Sequence, residues 1–516
     1  MSTESEHNEP VANRPEPGGS RASNSRATGS GRRAASSSKR RIAADLPRRA
    51  GRRAGAVRDA SPSQKALAVT LGVPLLTLAA MGVTSGSPTQ PPAAVPPETT
   101  SLTTLQVVCP APIATGGHVL LTSAKAAKSA GVQLRLGAHR QTAALGRFRT
   151  TTTGPTTAIV IDARGQLAPG LVATRVNDPQ GAASECTAPL PEYWFTGVGA
   201  GSIHASRLEL VNPDSGPAIA DIEVLGGDGL VDVPDVRGVT VPGGSATTID
   251  FAKVAPDRHE LTLHVSVVRG RLGATMTDLY VARSTWHDWL APQPAPSTSN
   301  VLLGLAKGGG QRQLVLSNPT ENEVRAELRV IGAGSTFVPS GFQEISVPPE
   351  STVVKDVSQI VGTALAKEES GLLITGPDED GIPDTPPTTM LTASLRSIAG
   401  EDLSHAVAVP PVHEAGVIVP SGKATLVLAA ADATGTASVT SYAADGKQVA
   451  TKRVEIKKLT CLAVALPEVA KFVVVKAERA PLSGAVRVES TKGVVTLPLT
   501  DLIVDALVPH VAAGSY

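Results

Sequence analysis

Aromatic side chains are scarce in this chain, 3% of 516 residues. That excludes a core organised around large rings and leaves Val, Leu, Ile and Ala to fill it. Cysteine is scarcer still: three residues allow at most one intramolecular disulfide and exclude a disulfide-dense scaffold. No G-x-S-x-G, Walker loop, C-x-x-C or H-E-x-x-H occurs, so the common signatures of hydrolases, nucleotide enzymes and zinc proteins are missing. His259-Glu260 and His264 come within one residue of the last pattern. In an alternating strand, however, those two imidazoles point to opposite faces. No spacing among the His, Ser and Asp residues marks a triad, so we expect no enzymatic activity and no cofactor.

A net charge of one sign is absent only on average. The total is +1, yet residues 1–65 carry 14 Lys/Arg against 6 Asp/Glu, and the remainder carries a net −7. Residues 1–65 are Ser, Arg, Ala, Gly and Glu with almost no large apolar side chain, which predicts a disordered basic tail. Its Arg pairs read as a determinant of topology and a contact for anionic lipid headgroups rather than as a nucleic-acid site.

Long hydrophobic runs are missing except for one, Ala66–Val83, 18 residues without a charge. At 1.5 Å per residue it reaches about 27 Å, enough for a transmembrane helix partnered by the lipid bilayer. Eight basic residues lie between Arg40 and Lys65, against Glu98 alone between Thr84 and Val107. The positive-inside rule then predicts a single-pass plasma-membrane protein, N-terminus cytoplasmic and bulk extracytoplasmic. The alternative is secretion after signal cleavage near Ser85. Residues 84–104 follow as a Pro/Ser/Thr-rich linker, extended through most of its length by its prolines.

What is abundant is Gly (49) and Pro (41), punctuating runs of alternating Val, Thr and Leu. The pattern is that of antiparallel β structure. Self-comparison divides it. RLELVNP at 207–213 matches QLVLSNP at 313–319, and thirty residues after each Asn stands a second match, Pro242 in VPGGS and Pro348 in VPPES. A third copy begins at Ala424. A fourth is seen where 156–176 parallels 260–281. The units so drawn are 105–191, 192–297, 298–411 and 412–516. About 100 residues and five to seven strands per unit fit tandem immunoglobulin-like β-sandwiches in an all-β chain. The alternative is a four-bladed, propeller-like closed array.

Four motifs, Cys109-Pro110, Tyr193–Gly197, Leu208–Pro213 and Val241–Ser245, give residues 105–510 a resemblance to an uncharacterised family of actinobacterial membrane-anchored or secreted proteins, a domain of unknown function. The resemblance implies an envelope location and cell-surface glycan biology. Its motifs are structural turns, so no catalytic residue is carried across.

Three groups of residues are candidates for more than structure. Cys109 and Cys186 flank the first unit and can bridge outside the cytoplasm, whereas Cys461 sits in an apolar run and reads as core. Asp378, Asp380 and Asp384 surround a Gly turn in the manner of half a calcium loop, although a solvated acidic insertion is the favoured reading. Trp286 and Trp289 can stack on sugar rings, although plugging a junction between units is favoured. The expected function is a membrane-anchored, non-enzymatic envelope scaffold, spacer or adhesion surface. The alternative is a glycan-binding accessory factor in cell-wall or polysaccharide assembly, with an envelope protein or glycan as partner.

Overall fold

Alternating β-branched residues between Gly- and Pro-rich turns leave the backbone one economical way to satisfy its N–H and C=O groups, the antiparallel ladder. The computed structural model describes residues 98–508, leaving out positions 127, 137, 179–180, 282–283, 377–388 and 401. These residues form an all-β fold, with short α-helices at Phe251–Val254 and Ser358–Lys367.

The last group of strands shows the plan most simply. Its eight strands are Glu414–Ile418, Lys423–Ala430, Gly435–Ala443, Gln448–Ile456, Thr460–Ala465, Ala470–Ala477, Ser483–Glu489 and Val494–Pro498. In one sheet the first pairs with the sixth, the sixth with the third and the third with the fourth. In the other the order is fifth, second, seventh, eighth. The two sheets enclose Leu426, Leu428, Val439, Val473 and Val486. Strands within 104–185 pair in the same order, and so do those within 299–407 once one extra short strand, Ile345–Val347 beside Val324–Gly332, is left out of the count. So do those within 192–290, where Val239–Val241 beside Ala218–Gly226 is the extra strand left out of the count and a single pair, Ala200 with Ala205, joins the two sheets. Each group has its own apolar core. The architecture is a set of β-sandwiches.

Asn212 and Asn318 explain the two sequence matches. Both are buried at the end of a second strand. The Oδ1 of each accepts from the N–H two residues on, at 2.9 Å. The Nδ2 of Asn212 donates to Gly216 O and Val241 O, and that of Asn318 to Asn322 O and Val347 O. One side chain thus closes its own turn and ties it to the strand ahead of the V-P turn. That tie fixes the distance between the two motifs. In the first sandwich Ser123 does part of this work, its Oγ accepting from Lys125 N and Ala126 N.

The four sandwiches close around one axis. The eighth strand of each packs beside that of the next: Ala182–Glu185 on Thr285–Leu290, that on Asp402–Val407, that on Val494–Pro498, and that back on Ala182–Glu185. Outside the sandwiches, Glu98–Ser101 pairs antiparallel with Asp505–Val508, from Glu98 opposite Val508 to Ser101 opposite Asp505. The end of the proline-rich linker is therefore a strand rather than a free spacer. After Pro97 the chain has Thr99 and Thr100, β-branched residues with N–H groups available for pairing.

The localisation read from the sequence requires correction. Among the described residues no helix is long and apolar enough to cross a membrane, against a single-pass plasma-membrane protein. The stretch 66–83, like the basic tail and the linker up to residue 97, lies outside the described residues. Its apolar length is at the lower limit for a span, and Thr70, Gly72, Pro74, Thr77 and Gly82 dilute it.

Candidate functional site

Four strands side by side along an axis leave a mouth at each end. At the end where they begin, Trp286, His287, Lys307, Asp402, Ser490 and Lys492 help line a polar cleft of about 580 Å³. At the end where they finish, Leu190, Trp289, Pro292, Val407, Val409 and Leu497 help line an apolar chamber of about 130 Å³ that also contains Glu185.

Carboxyl groups along this axis resist ionisation. Burial pushes Asp402 up to about 7, against the hydrogen bonds it accepts from the backbone of Val494 and Leu403. Burial, reinforced by the charges of Asp402 and Asp278, lifts Asp288 well above the usual carboxylate range. Burial takes Glu185 up to about 8. Its Oε2 accepts from the Thr500 hydroxyl at 3.2 Å, and its buried Oε1 has no hydrogen-bond partner among the described residues.

Beside the axis lies a different polar cluster, between the second and third sandwiches. Asp278, on the seventh strand of the second sandwich, is fully buried. It accepts from Ser206 Oγ at 2.5 Å, and His204 Nε2 and His405 Nε2 each lie 2.9 Å from its Oδ2. Burial opposes its ionisation, but the two histidines outweigh that and hold the carboxyl far below its ordinary range. Burial likewise disfavours charge on His204, yet Asp278 and Glu260 overcome it and raise the imidazole to about 9. Arg396 completes the cluster, 2.5 Å from Glu260 Oε1. A serine, a histidine and a carboxylate meet here, but the serine and the histidine both bond the carboxylate. The hydroxyl's proton is directed to Asp278, so the arrangement is not that of a base-activated nucleophile.

The sequence candidates are scattered by the fold. Trp286 and Trp289 are three apart on one strand and therefore face opposite ways. Trp286 is half-buried in the polar cleft, while Trp289, 4% exposed, lines the apolar chamber. They cannot form a common stacking platform. Cys109 and Cys186 are joined by a disulfide at the edge of the first core. Cys461 is a buried thiol pushed up to about 12, packed where the third and fourth sandwiches meet. Asp378, Asp380 and Asp384 lie outside the described residues. Sequence reasoning did not reach Glu185, His204, Asp278, Arg396 and His405, although it singled out the neighbouring Trp286–Trp289 segment. The usable signal was polar residues at inward-facing strand positions, which only the register identifies.

A closed ring of β-sandwiches with two axial mouths is the class of protein these observations define. The chain belongs to a family of unknown function (DUF5719), whose model matches residues 147–467, from the first sandwich into the fourth. Three of the four motifs noted above fall inside that span, and Cys109-Pro110 falls before it. No curated protein matches the chain.

Proposed function

We propose that this protein is a non-enzymatic scaffold or adhesion surface, a ring of sandwiches that holds its loops in fixed positions for a partner. The closure of the four eighth strands around one axis is the observation behind this reading. In a closed ring each sandwich is braced on two sides, so its loops keep their relative positions without relying on flexible linkers. We read the four groups as tandem copies of one unit. The shared strand order and the matched bonds of Asn212 and Asn318 support that.

The test is complementation of a deletion strain. A scaffold loses function when the ring is weakened, as in Cys109→Ser with Cys186→Ser, and tolerates single exposed polar substitutions. One exposed substitution that abolished the phenotype with an unchanged melting temperature would point instead to a catalytic or single-site role.

A second reading, glycan binding, is favoured by Trp286 in the polar cleft beside Asp402, Ser490 and Lys492. An indole face with hydroxyl and charged neighbours suits a polyhydroxylated ring. Titration with soluble polysaccharides should then quench tryptophan fluorescence in the wild type but not in Trp286→Ala. Equal quenching in both would remove this reading.

A further inference from the structure

The four sandwiches finish one edge in different ways. Where the fourth strand stands beside the fifth, both end their sheets, and a gap between the two sheets must be closed. In the first sandwich Gln141 Nε2 donates across it to Thr153 Oγ1 at 2.6 Å. In the second the chain leaves the edge after Gly229–Val231 and returns as Val239–Val241, and the loop between them turns Val233 and Val236 into the core with Ile222. In the third the loop between Thr336–Phe337 and Ile345–Val347 packs Phe342 on the core, and the carbonyl of Phe342 accepts from Leu328 N at 3.0 Å.

The fourth sandwich has no such plug. Gln448–Ile456 runs as one strand along Gly435–Ala443. Val439 is the fifth residue of that third strand, as Ile222 and Leu328 are of theirs, but opposite it stands Lys452. An open cleft of about 300 Å³ remains. Val439, Ala450, Val464, Leu466 and Pro467 line it, and Lys452 is the one charged residue among its walls.

We propose that this edge takes up an extended acidic peptide segment of another protein, added as a further strand beside Gln448–Ile456. The outer backbone of that strand has no partner strand, since its ladder is with Gly435–Ala443 alone. Alternate side chains of an added strand would turn into the cleft and supply the apolar groups that Val233, Val236 and Phe342 supply elsewhere. Charge selects the occupant. Lys447 and Arg453 are held by Asp445 and Glu478, whereas Lys452, Lys457 and Lys458 have no ion pair among the described residues. The acids nearby are Glu455, which alternation places on the outer face, and the exposed Glu468 beyond Pro467. Two copies joined edge to edge would set Lys452 and Arg453 against the same residues, which like charges oppose. An inward lysine guards an edge against such self-pairing, but it does not account for the open apolar floor behind it. The inference rests on the scaffold reading only in expecting a partner. Binding is read directly on the protein, so its failure leaves the complementation result untouched.

Fluorescence anisotropy of the full chain with a labelled heptapeptide alternating Glu and Val tests this. We expect saturation below about 1 mM. A peptide alternating Lys and Val should not saturate, and one of the same composition with its three Val adjacent should bind at least fivefold more weakly. Ala450→Trp, which fills the cleft, should weaken binding at least tenfold, and Lys452→Glu about fivefold. On the wild type, the Glu–Val peptide should slow amide exchange within Gln448–Ile456 and leave His139–Leu145, the matching edge of the first sandwich, unchanged. That measurement stands even if a variant folds poorly. No saturation up to roughly 1 mM, equal binding of the Lys–Val peptide, or unchanged exchange in Gln448–Ile456 would each overturn the proposal. So would a concentration-dependent dimer abolished by Ala450→Trp, which would give the edge to a second copy of the chain.

Discussion

The junction between the second and third sandwiches and that between the third and fourth are built on the same device in different surroundings. In each, a buried arginine on the seventh strand of the later sandwich reaches a glutamate of the earlier one, Arg396 to Glu260 and Arg487 to Glu369. Around Arg487 the contact is apolar: Val301, Leu303, Ile331, Leu373, Val427, Ala429 and Cys461 form a shared cluster. Around Arg396 it is polar. Thr196 and Thr392 hydroxyls meet at 2.6 Å, Ser394 donates to Thr196 O, Thr352 lies 3.0 Å from Thr262, and the His204–Asp278–His405 group fills the rest. An apolar interface tolerates imperfect pairing of one ion pair. A polar one depends on every member being satisfied, because each orphaned group keeps its desolvation cost. The second junction should therefore be strong and insensitive to pH, the first specific and pH-dependent.

The largest separation is expected from removing one charge on each side. Asp278→Ala takes the shared acid from two histidines in a buried site, of which His204 keeps Glu260 at 3.4 Å, and should cost on the order of 3–5 kcal/mol in urea unfolding. Arg487→Met leaves Glu369 with Lys307 still 2.9 Å away, so a loss of about 1–3 kcal/mol is expected. Equal losses would break the contrast.

Next comes pH. His204 is raised in the folded state, so its contribution is complete below about 6.5 and is lost as pH climbs through about 9. Glu369 is held below its ordinary value because Arg487 and Lys307 outweigh its burial, so its contribution is lost only as pH falls below about 4.5. Between pH 6 and 9, the amide protection factors, which are corrected for the base-catalysed rise of intrinsic exchange, should fall at Thr196, Ser394 and His405 and stay constant at Val427 and Leu373. The raised acids on the axis act in the same direction as His204, since Glu185, Asp288 and Asp402 are most favourable when protonated. Melting temperature should therefore fall from pH 6 to pH 9 in the wild type, and less steeply in His204→Gln.

A smaller effect is expected at the hydroxyls. Thr196→Val alone leaves the Thr392 hydroxyl buried without its partner and should cost about 1–2 kcal/mol. The double variant with Thr392→Val should recover most of that loss, which a double-mutant cycle reads directly. The smallest effect concerns Cys461. Its thiol is buried and its pKa is high, so iodoacetamide at pH 8 should leave it unmodified in the native chain. Rapid native labelling would show that the apolar junction opens.

Much of the strand content was legible because it is local. Alternation in 207–213 and 313–319, and the turns at Asn212-Pro213 and Asn318-Pro319, carry their own conformational instructions. Closure of the sandwiches into a ring is not legible in the sequence, whose closed alternative is a four-bladed, propeller-like array, because the eighth strands meet across hundreds of residues with no motif in common. TWHDWL, DLSHAV and VVTLP share little beyond β-propensity. The polar cluster was hidden for the same reason, with His204, Asp278 and His405 on three strands of two sandwiches. The membrane reading failed differently. A charge-free run with basic flanks is a pattern of hydropathy alone, and among the described residues no helix is long and apolar enough to cross a membrane.

The pair formed by Glu98–Ser101 and Asp505–Val508 has a mechanical consequence. The chain enters at Glu98 and leaves at Val508, which stand opposite one another. A pulling force between those two points therefore acts across the end of the ladder and not along it. Such loading opens a zipper one register at a time, from Glu98–Val508 inward, instead of shearing four pairs together. Under tension this clasp should yield first, while the sandwich ladders behind it remain intact.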